Sequence, residues 1–242
     1  CGVVLAKLLV AGAGLALALL ASMGVGLVLG LLNGVLVSVL TLPPFVVTLG
    51  TLGIAQGAAL VITDGNAVTG IGPAAASLYA LAPLGIPVSL LIALAIWGLS
   101  HVLLYHTRFG NGVFAIGGNR DALVLAGVRV HLYHIAIYVL MGLVVGLTAL
   151  LLTGRMNSGH PTVAIGMEFD AIAAVVLGGT TFERGDGRLY GTVFGVATIG
   201  IVRNALNLTG IESSMQVVSI GVLVIVVIFL DSSRKQKRRA AA

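Results

Sequence analysis

The run 8-LLVAGAGLALALLASMGVGLVLGLLNGVLVSVLTLPPFVVTLGTLGIAQGAALVIT-63 holds 56 residues and not one charge. A helix needs about 20 apolar residues to cross the hydrocarbon of a bilayer, so this stretch alone is long enough for two crossings. Asp64 then interrupts, and charge-free runs of 43 residues (65–107), 25 residues (130–154) and 18 residues (213–230) follow. Over the whole chain 58% of residues are hydrophobic and 9% are charged, against about 25% charged in a soluble domain. The 34 glycines fall largely inside the apolar runs, where small residues let helix backbones approach closely. These features define an all-α membrane protein, a polytopic bundle of transmembrane helices, and exclude a soluble core.

The formal net charge of +5 is no nucleic-acid footprint. Five of the 13 basic residues lie in 234-RKQKRR-239, and three more in 107-TRFGNGVFAIGGNRDALVLAGVRVHLYH-134. Lys and Arg accumulate on cytoplasmic loops, so this polar island and the tail 232–242 are both expected on the cytoplasmic side. The lone Cys1 has no partner within the chain, which removes disulfides from consideration. Cys1 leads straight into apolar sequence with no charged n-region. The start therefore reads as a membrane domain whose upstream spans are missing, with a lipidated cysteine as the alternative.

With island and tail on one side, the spans between them must be even in number. Ile135–Thr153, Gly191–Leu208 and Met215–Leu230 are plain, and parity makes the short, acid-headed 167-MEFDAIAAVVLGGTTF-182 the fourth. Before the island, Ile86–His106 and Phe45–Thr63 each cross once. They are joined by 64-DGNAVTGIGPAAASLYALAPLG-85, which its prolines mark as a non-helical excursion. Residues 11–40 read as one tilted helix of about 45 Å. The count is about seven spans, beginning outside and ending inside.

Within the island, 119-NRDALVLAG-127 reads as a two-turn helix. Asn119 suits the N-cap, Asp121 the first turn and Gly127 the position just past the end. A helix so short is marginal in water, and Leu123, Val124, Leu125 and Ala126 leave it little polar face. It must dock, either on its own membrane domain or in a groove of a soluble partner. Gly117-Gly118 lacks the spacing of a nucleotide-binding loop, so ATP chemistry belongs to another subunit. The histidines His101, His106, His131 and His134 flank the island without nearby cysteines and with few carboxylates, an interfacial pattern that supports no metal site. No nucleophile–base constellation stands out, so the chain reads as no enzyme and calls for no cofactor.

Ionisable residues within apolar segments are functional candidates by default. Glu168, Asp170 and Arg203 are the ones here; Asn204 and Asn207 further interrupt an apolar helix. Glu168, Asp170, Asn204 and Asn207 are the candidates for a translocation path. Against that, acids favour a helix start and asparagines hydrogen-bond between membrane helices.

Four strings carry a family resemblance: 33-NGVLVSVLTLPPFVVTLGTLGIAQGAAL-60, 114-FAIGGNRDALVLAGV-128, 168-EFDAIAAVVLGGTTFERGDGRLYGTVFG-195 and 203-RNALNLTGI-211. Together they resemble the permease subunits of bacterial ABC sugar importers of the ribose, xylose and arabinose type. The resemblance implies a subunit of about ten spans, of which about seven are present, working as a homodimer or heterodimer with a second permease subunit. An ABC ATPase subunit and a periplasmic or extracellular sugar-binding protein are the implied partners, beside membrane lipid. It further implies residence in the bacterial inner membrane, with residues 1–231 as the permease domain, 107–134 as a cytoplasmic coupling loop and 232–242 as a cytoplasmic tail. The coupling segment matches Gly117–Val128, so Gly117, Gly118, Asn119, Arg120, Asp121, Ala122, Ala126 and Gly127 are the residues expected to meet the ATPase. Rival readings are a branched-chain amino-acid or nucleoside permease of the same superfamily, and an ion-driven secondary transporter. The last would ordinarily place charges near the bilayer midplane, which 8–107 lacks.

Overall fold

A computed structural model of the chain describes residues 1–180, 185, 187–212, 215, 216, 218, 219, 221, 222 and 226. Its helices are α1 (Gly2–Val10), α2 (Leu15–Ser38), α3 (Pro44–Thr63), α4 (Pro73–Ala80), α5 (Val88–Tyr105), α6 (Arg108–Gly118), α7 (Arg120–Leu125), α8 (Val130–Met156), α9 (Met167–Leu177) and α10 (Leu189–Leu208). Among the described residues no strand forms, only an isolated antiparallel bridge between Val68 and Gly159. Five helices, α2, α3, α5, α8 and α10, are long and apolar enough to cross a bilayer. The chain is thus an all-α polytopic membrane protein.

The elements follow local chemistry, sometimes against the sequence reading. Residues 64–85 are not wholly non-helical. Pro73 sits in the first turn of α4, where its missing N–H loses nothing and its fixed φ suits a helix, and a 3-10 turn follows at Pro83–Gly85. The helix expected over 11–40 starts only at Leu15, because α1 ends just before it. Gly12 takes φ +81°, and the bonds Gly12 N–H to Leu9 O and Ala13 N–H to Leu8 O close the helix end around it. The expected span 167–182 is helical over α9 for 11 residues, about 16 Å at 1.5 Å per residue and so about half of a 30 Å hydrocarbon layer. The span expected at Met215–Leu230 falls largely, and the tail 232–242 wholly, outside the described residues.

The chain divides into two compact units. The first joins Cys1–Val113 to Arg120–Val163, and its axis is the α2·α8 pair. On α2 the buried residues are Ala18, Ser22, Gly26, Gly30, Gly34 and Ser38, a small side chain at every fourth position. In hydrocarbon there is no hydrophobic gain from pressing two leucine faces together, so close backbone packing has to hold the helices. The seam is that close. A Cβ on Gly34 would lie 2.8 Å from the Ile135 Cα, one on Gly142 2.7 Å from the Gly26 carbonyl carbon, and one on Gly146 2.5 Å from the Met23 Cα. Ser22 adds a buried hydrogen bond, its Oγ donating to the Gly146 carbonyl at 3.0 Å.

At one end of this pair the side-chain core gathers. Leu5, Ala6 and Leu9 of α1 pack with Ala18, Ile71, Ala75 and Leu150. Lys7 leaves that face of α1, and its Nζ donates to the Ile62 carbonyl at 2.6 Å. It satisfies one of the last carbonyls of α3 and sets a cation at the negative end of that helix.

The second unit comprises Phe114–Asn119 and Ala164–Ala242. Its described centre is the antiparallel pair α9·α10, with Ala173, Ala174 and Ile199 buried between them. Here again glycine permits the approach: a Cβ on Gly178 would meet the Gly191 carbonyl carbon at 2.5 Å, and one on Gly195 the Ala174 carbonyl carbon at 2.8 Å.

Candidate functional site

The polar island is more ordered than a loop. Thr107 closes the turn after α5, its hydroxyl accepting from the Gly110 N–H at 3.3 Å as the N-cap of α6. That same hydroxyl donates to the Leu103 carbonyl, tying the end of α5 to the start of α6. The chain then runs helically to Gly118, breaks at Asn119 and resumes as α7.

The residues singled out in the island occupy a connected path. Gly117 and Gly118 form the last turn of α6. Gly117 lies against Gly185 within the second unit, where a Cβ on Gly185 would be 2.5 Å from the Gly117 Cα. Asn119 is the joint between α6 and α7, its backbone N–H still donating to Ala115 O at 3.0 Å. Arg120, Asp121 and Ala122 are the first turn of α7, with the acid at the end that favours it. Ala126 and Gly127 end it. Gly127 has φ +78°, and the pair Gly127 N–H to Val124 O and Val128 N–H to Leu123 O, each 3.0 Å, closes the helix as α1 is closed.

What α7 presents is apolar. Leu125 is 89% exposed and Val124 54%, while Arg120, Asp121 and Arg129 around them are exposed too. Two adjacent aliphatic side chains, Val124 and Leu125, thus stand out beside exposed charges at the closed end of the helix.

The translocation candidates fare unequally. Asp170 and Arg203 meet in an ion pair, Oδ2 to Nη2 2.7 Å, linking α9 to α10. Glu168 folds back on its own helix start, its Oε2 accepting the Gly166 N–H at 3.0 Å. Asn204 and Asn207, three residues apart on α10, are both exposed. Among the described residues Asp170 is the one of the four with a charged partner, and they do not form one cluster. Of the histidines, His101 takes aromatic company: its ring lies 5.6 Å from Trp97, 4.9 Å from Tyr105 and 5.5 Å from His106.

Sequence reasoning missed α6 and the contact beneath it. Phe109 stacks on Tyr133 with ring centroids 5.5 Å apart and planes at 13°. Gly112 lies under the same ring, where a Cβ would come within 2.6 Å of the tyrosine Cζ. The signal was present as Thr107 followed by apolar residues at Phe109, Val113 and Ile116, an N-cap before helical spacing; the glycines between them obscured it.

Residues 1–228 match the family described as branched-chain amino acid transport system / permease component. The chain is 39% identical over 208 residues to the ribose import permease protein of Bacillus subtilis (strain 168), covering 84% of this chain and 63% of that one. It is 36% identical over 235 residues to the D-allose transport system permease protein of Escherichia coli (strain K12), covering 95% and 71%. To the L-arabinose transport system permease protein of the same organism it is 36% identical over 210 residues, 86% and 63%. The chain thus spans less than two thirds of the ribose and arabinose permeases. No solved structure matches it. The match along residues 1–228, together with sugar-permease relatives over most of its length, means that this chain belongs to the branched-chain amino acid transport system / permease component family.

Proposed function

We propose that this chain is a membrane-spanning subunit of an ABC importer that carries a monosaccharide, a pentose or a related sugar, into the bacterial cytoplasm. It is a transport subunit, and ATP is hydrolysed by a partner ATPase. The observation that carries this reading is the doubly closed helix α7, which holds Val124 and Leu125 out of the protein. The names of the ribose import permease and of the D-allose and L-arabinose transport system permeases support the cargo class. In this reading Gly117–Gly127 couples to the ATPase, residues 1–231 form the permease domain, and a second permease subunit and a sugar-binding protein complete the assembly. The island and the tail 232–242 face the cytoplasm of an inner-membrane, multi-pass protein of about seven spans. In this reading the parity of spans sets the loop between α9 and α10 on the island's side. Glu168, Asp170, Asn204 and Asn207 are the proposed polar residues of the path.

ATP binding closes the ATPase pair, α7 follows its socket, and the spans exchange an outward for an inward opening. A partner's closure can drive that exchange only if α7 binds the two states unequally. Asn119→Pro removes the Asn119–Ala115 bond, and Gly127→Val strains a residue at φ +78°. Each is expected to abolish uptake in cells making the intact transporter while the permease stays in the membrane and the ATPase still turns over. Normal uptake in both variants would remove α7 from the mechanism. Titrating the binding protein with ribose, allose, arabinose and branched-chain amino acids separates the sugar reading from the amino-acid one that the family description also names.

A further inference from the structure

We propose that Tyr133, clasped between Phe109 and Gly112, is the positioning residue through which movement of α7 enters the membrane helices. The proposal rests on the reading of α7 as the docking helix, and it adds the route by which docking reaches a span.

Helix α7 hangs between two stems, α6 before it and the first turn of α8 after it. A short helix on loose stems would absorb a push locally, because nothing would oblige either span to follow. The stems here are joined. Phe109 and Gly112 lie three apart on one face of α6, and Tyr133 lies in the first turn of α8. The Phe109 and Tyr133 rings are parallel to within 13°, the offset arrangement that aromatic pairs favour. The tyrosine lies close against Gly112, where an added Cβ would be 2.6 Å from Cζ and 2.8 Å from Oη. Glycine is the residue that admits the ring at that distance.

Both ends of the clasp are themselves held. The start of α6 is fixed to α5 by Thr107, and Gly110 lies so close that a Cβ there would be 2.5 Å from the Leu104 Cα. Immediately beyond Tyr133, α8 enters its seam with α2: Ile135 faces Gly34 and the Tyr138 carbonyl faces Gly30. A displacement of α7 that tilts α6 therefore moves Tyr133, and α8 cannot shift without α2. The bland alternative is an aromatic pair that merely anchors helix ends at the membrane interface, which would affect the amount of protein but not its coupling.

The two readings separate in the intact transporter, with its ATPase and binding protein, reconstituted in proteoliposomes. The probe is whichever of radiolabelled D-ribose, D-allose and L-arabinose the binding protein retains. Gly112→Ala pushes the ring off the helix with a single methyl. It is expected to lower the sugar moved per ATP hydrolysed by about tenfold, within the range by which residues along a coupling route act. Tyr133→Ala should do the same, and Tyr133→Phe, which keeps the ring, should couple normally. The double variant Gly112→Ala/Tyr133→Ala should be no worse than Tyr133→Ala, because the methyl then has nothing to displace. Gly98→Ala, with open space around its added carbon, should change nothing. An unchanged sugar-to-ATP ratio in Gly112→Ala, or a fall in both rates that merely tracks lost protein, overturns the clasp. If Asn119→Pro uncouples while Gly112→Ala does not, the clasp alone fails and the docking role of α7 stands.

Discussion

Two helix pairs in this protein solve the same packing problem with different endings. The α2·α8 seam is long and lined with small residues, and the side-chain hydrogen bond that crosses it among the described residues is the neutral Ser22–Gly146 contact. The α9·α10 hairpin is short, begins with the same glycine-on-backbone approach, and ends in the charged Asp170–Arg203 pair. A seam of small residues gains by contact along its whole length, so it needs no charge to define its register. An 11-residue helix has too little length for that, and an ion pair at its far end fixes what packing alone leaves soft. Charge inside a membrane segment is costly, so the pair marks a place where position matters more than stability.

That contrast is most easily broken at the seam. Gly26→Leu sets a branched side chain against the Gly142 carbonyl, a backbone atom that cannot turn aside. Overpacking typically costs about 1–3 kcal/mol, and an unyielding partner puts this variant at the upper end. Thermal unfolding of the purified protein in detergent should show the largest loss of the set. Asp170→Asn leaves Arg203 without its counter-ion. Breaking a fully buried pair costs about 3–5 kcal/mol, but Arg203 is 41% exposed and Asp170 18%, so about 1–2 kcal/mol is expected. The sharper outcome is that the swapped pair Asp170→Arg/Arg203→Asp recovers most of that loss in the same assay. Ser22→Ala is the smallest: hydrogen bonds between membrane helices average about 0.6 kcal/mol. A loss at Ser22 as large as that at Gly26 would mean that polar bonding, not close approach, holds the seam.

The long spans were legible in the sequence because length and the absence of charge suffice for them. The readings Phe45–Thr63, Ile86–His106 and Gly191–Leu208 stand within two residues of α3, α5 and α10. The span read at Ile135–Thr153 is longer as α8, because His131, Tyr133 and His134 in its first turns look like loop when only polarity is counted. The short helix of the island was legible for the opposite reason, since Asn119 and Gly127 are punctuation that acts locally. Helix α6 was not, for four of its positions are glycines that a propensity reading takes as breaks, and three of them, Gly110, Gly112 and Gly117, are there for close approach. The site candidates divide in the same way. That Asp170 and Arg203 are both costly in an apolar setting can be read from composition, whereas their meeting depends on the register of α9 against α10, which no local pattern carries. Glu168 turns back to its own helix end, where its carboxylate accepts the Gly166 N–H, a local contact that composition does not reveal.

The α2·α8 seam also dictates an order of events during synthesis. About ninety residues separate the end of α2 from the start of α8. At about 5–20 residues per second, translation needs about 5–20 s to bridge that gap. Throughout that interval the glycine ridge of α2 faces lipid with its partner not yet made. Insertion of α2 must therefore rest on its own apolarity. The seam closes only when α8 leaves the ribosome, so a substitution on the ridge can let α2 enter the bilayer normally and still prevent the pair from forming.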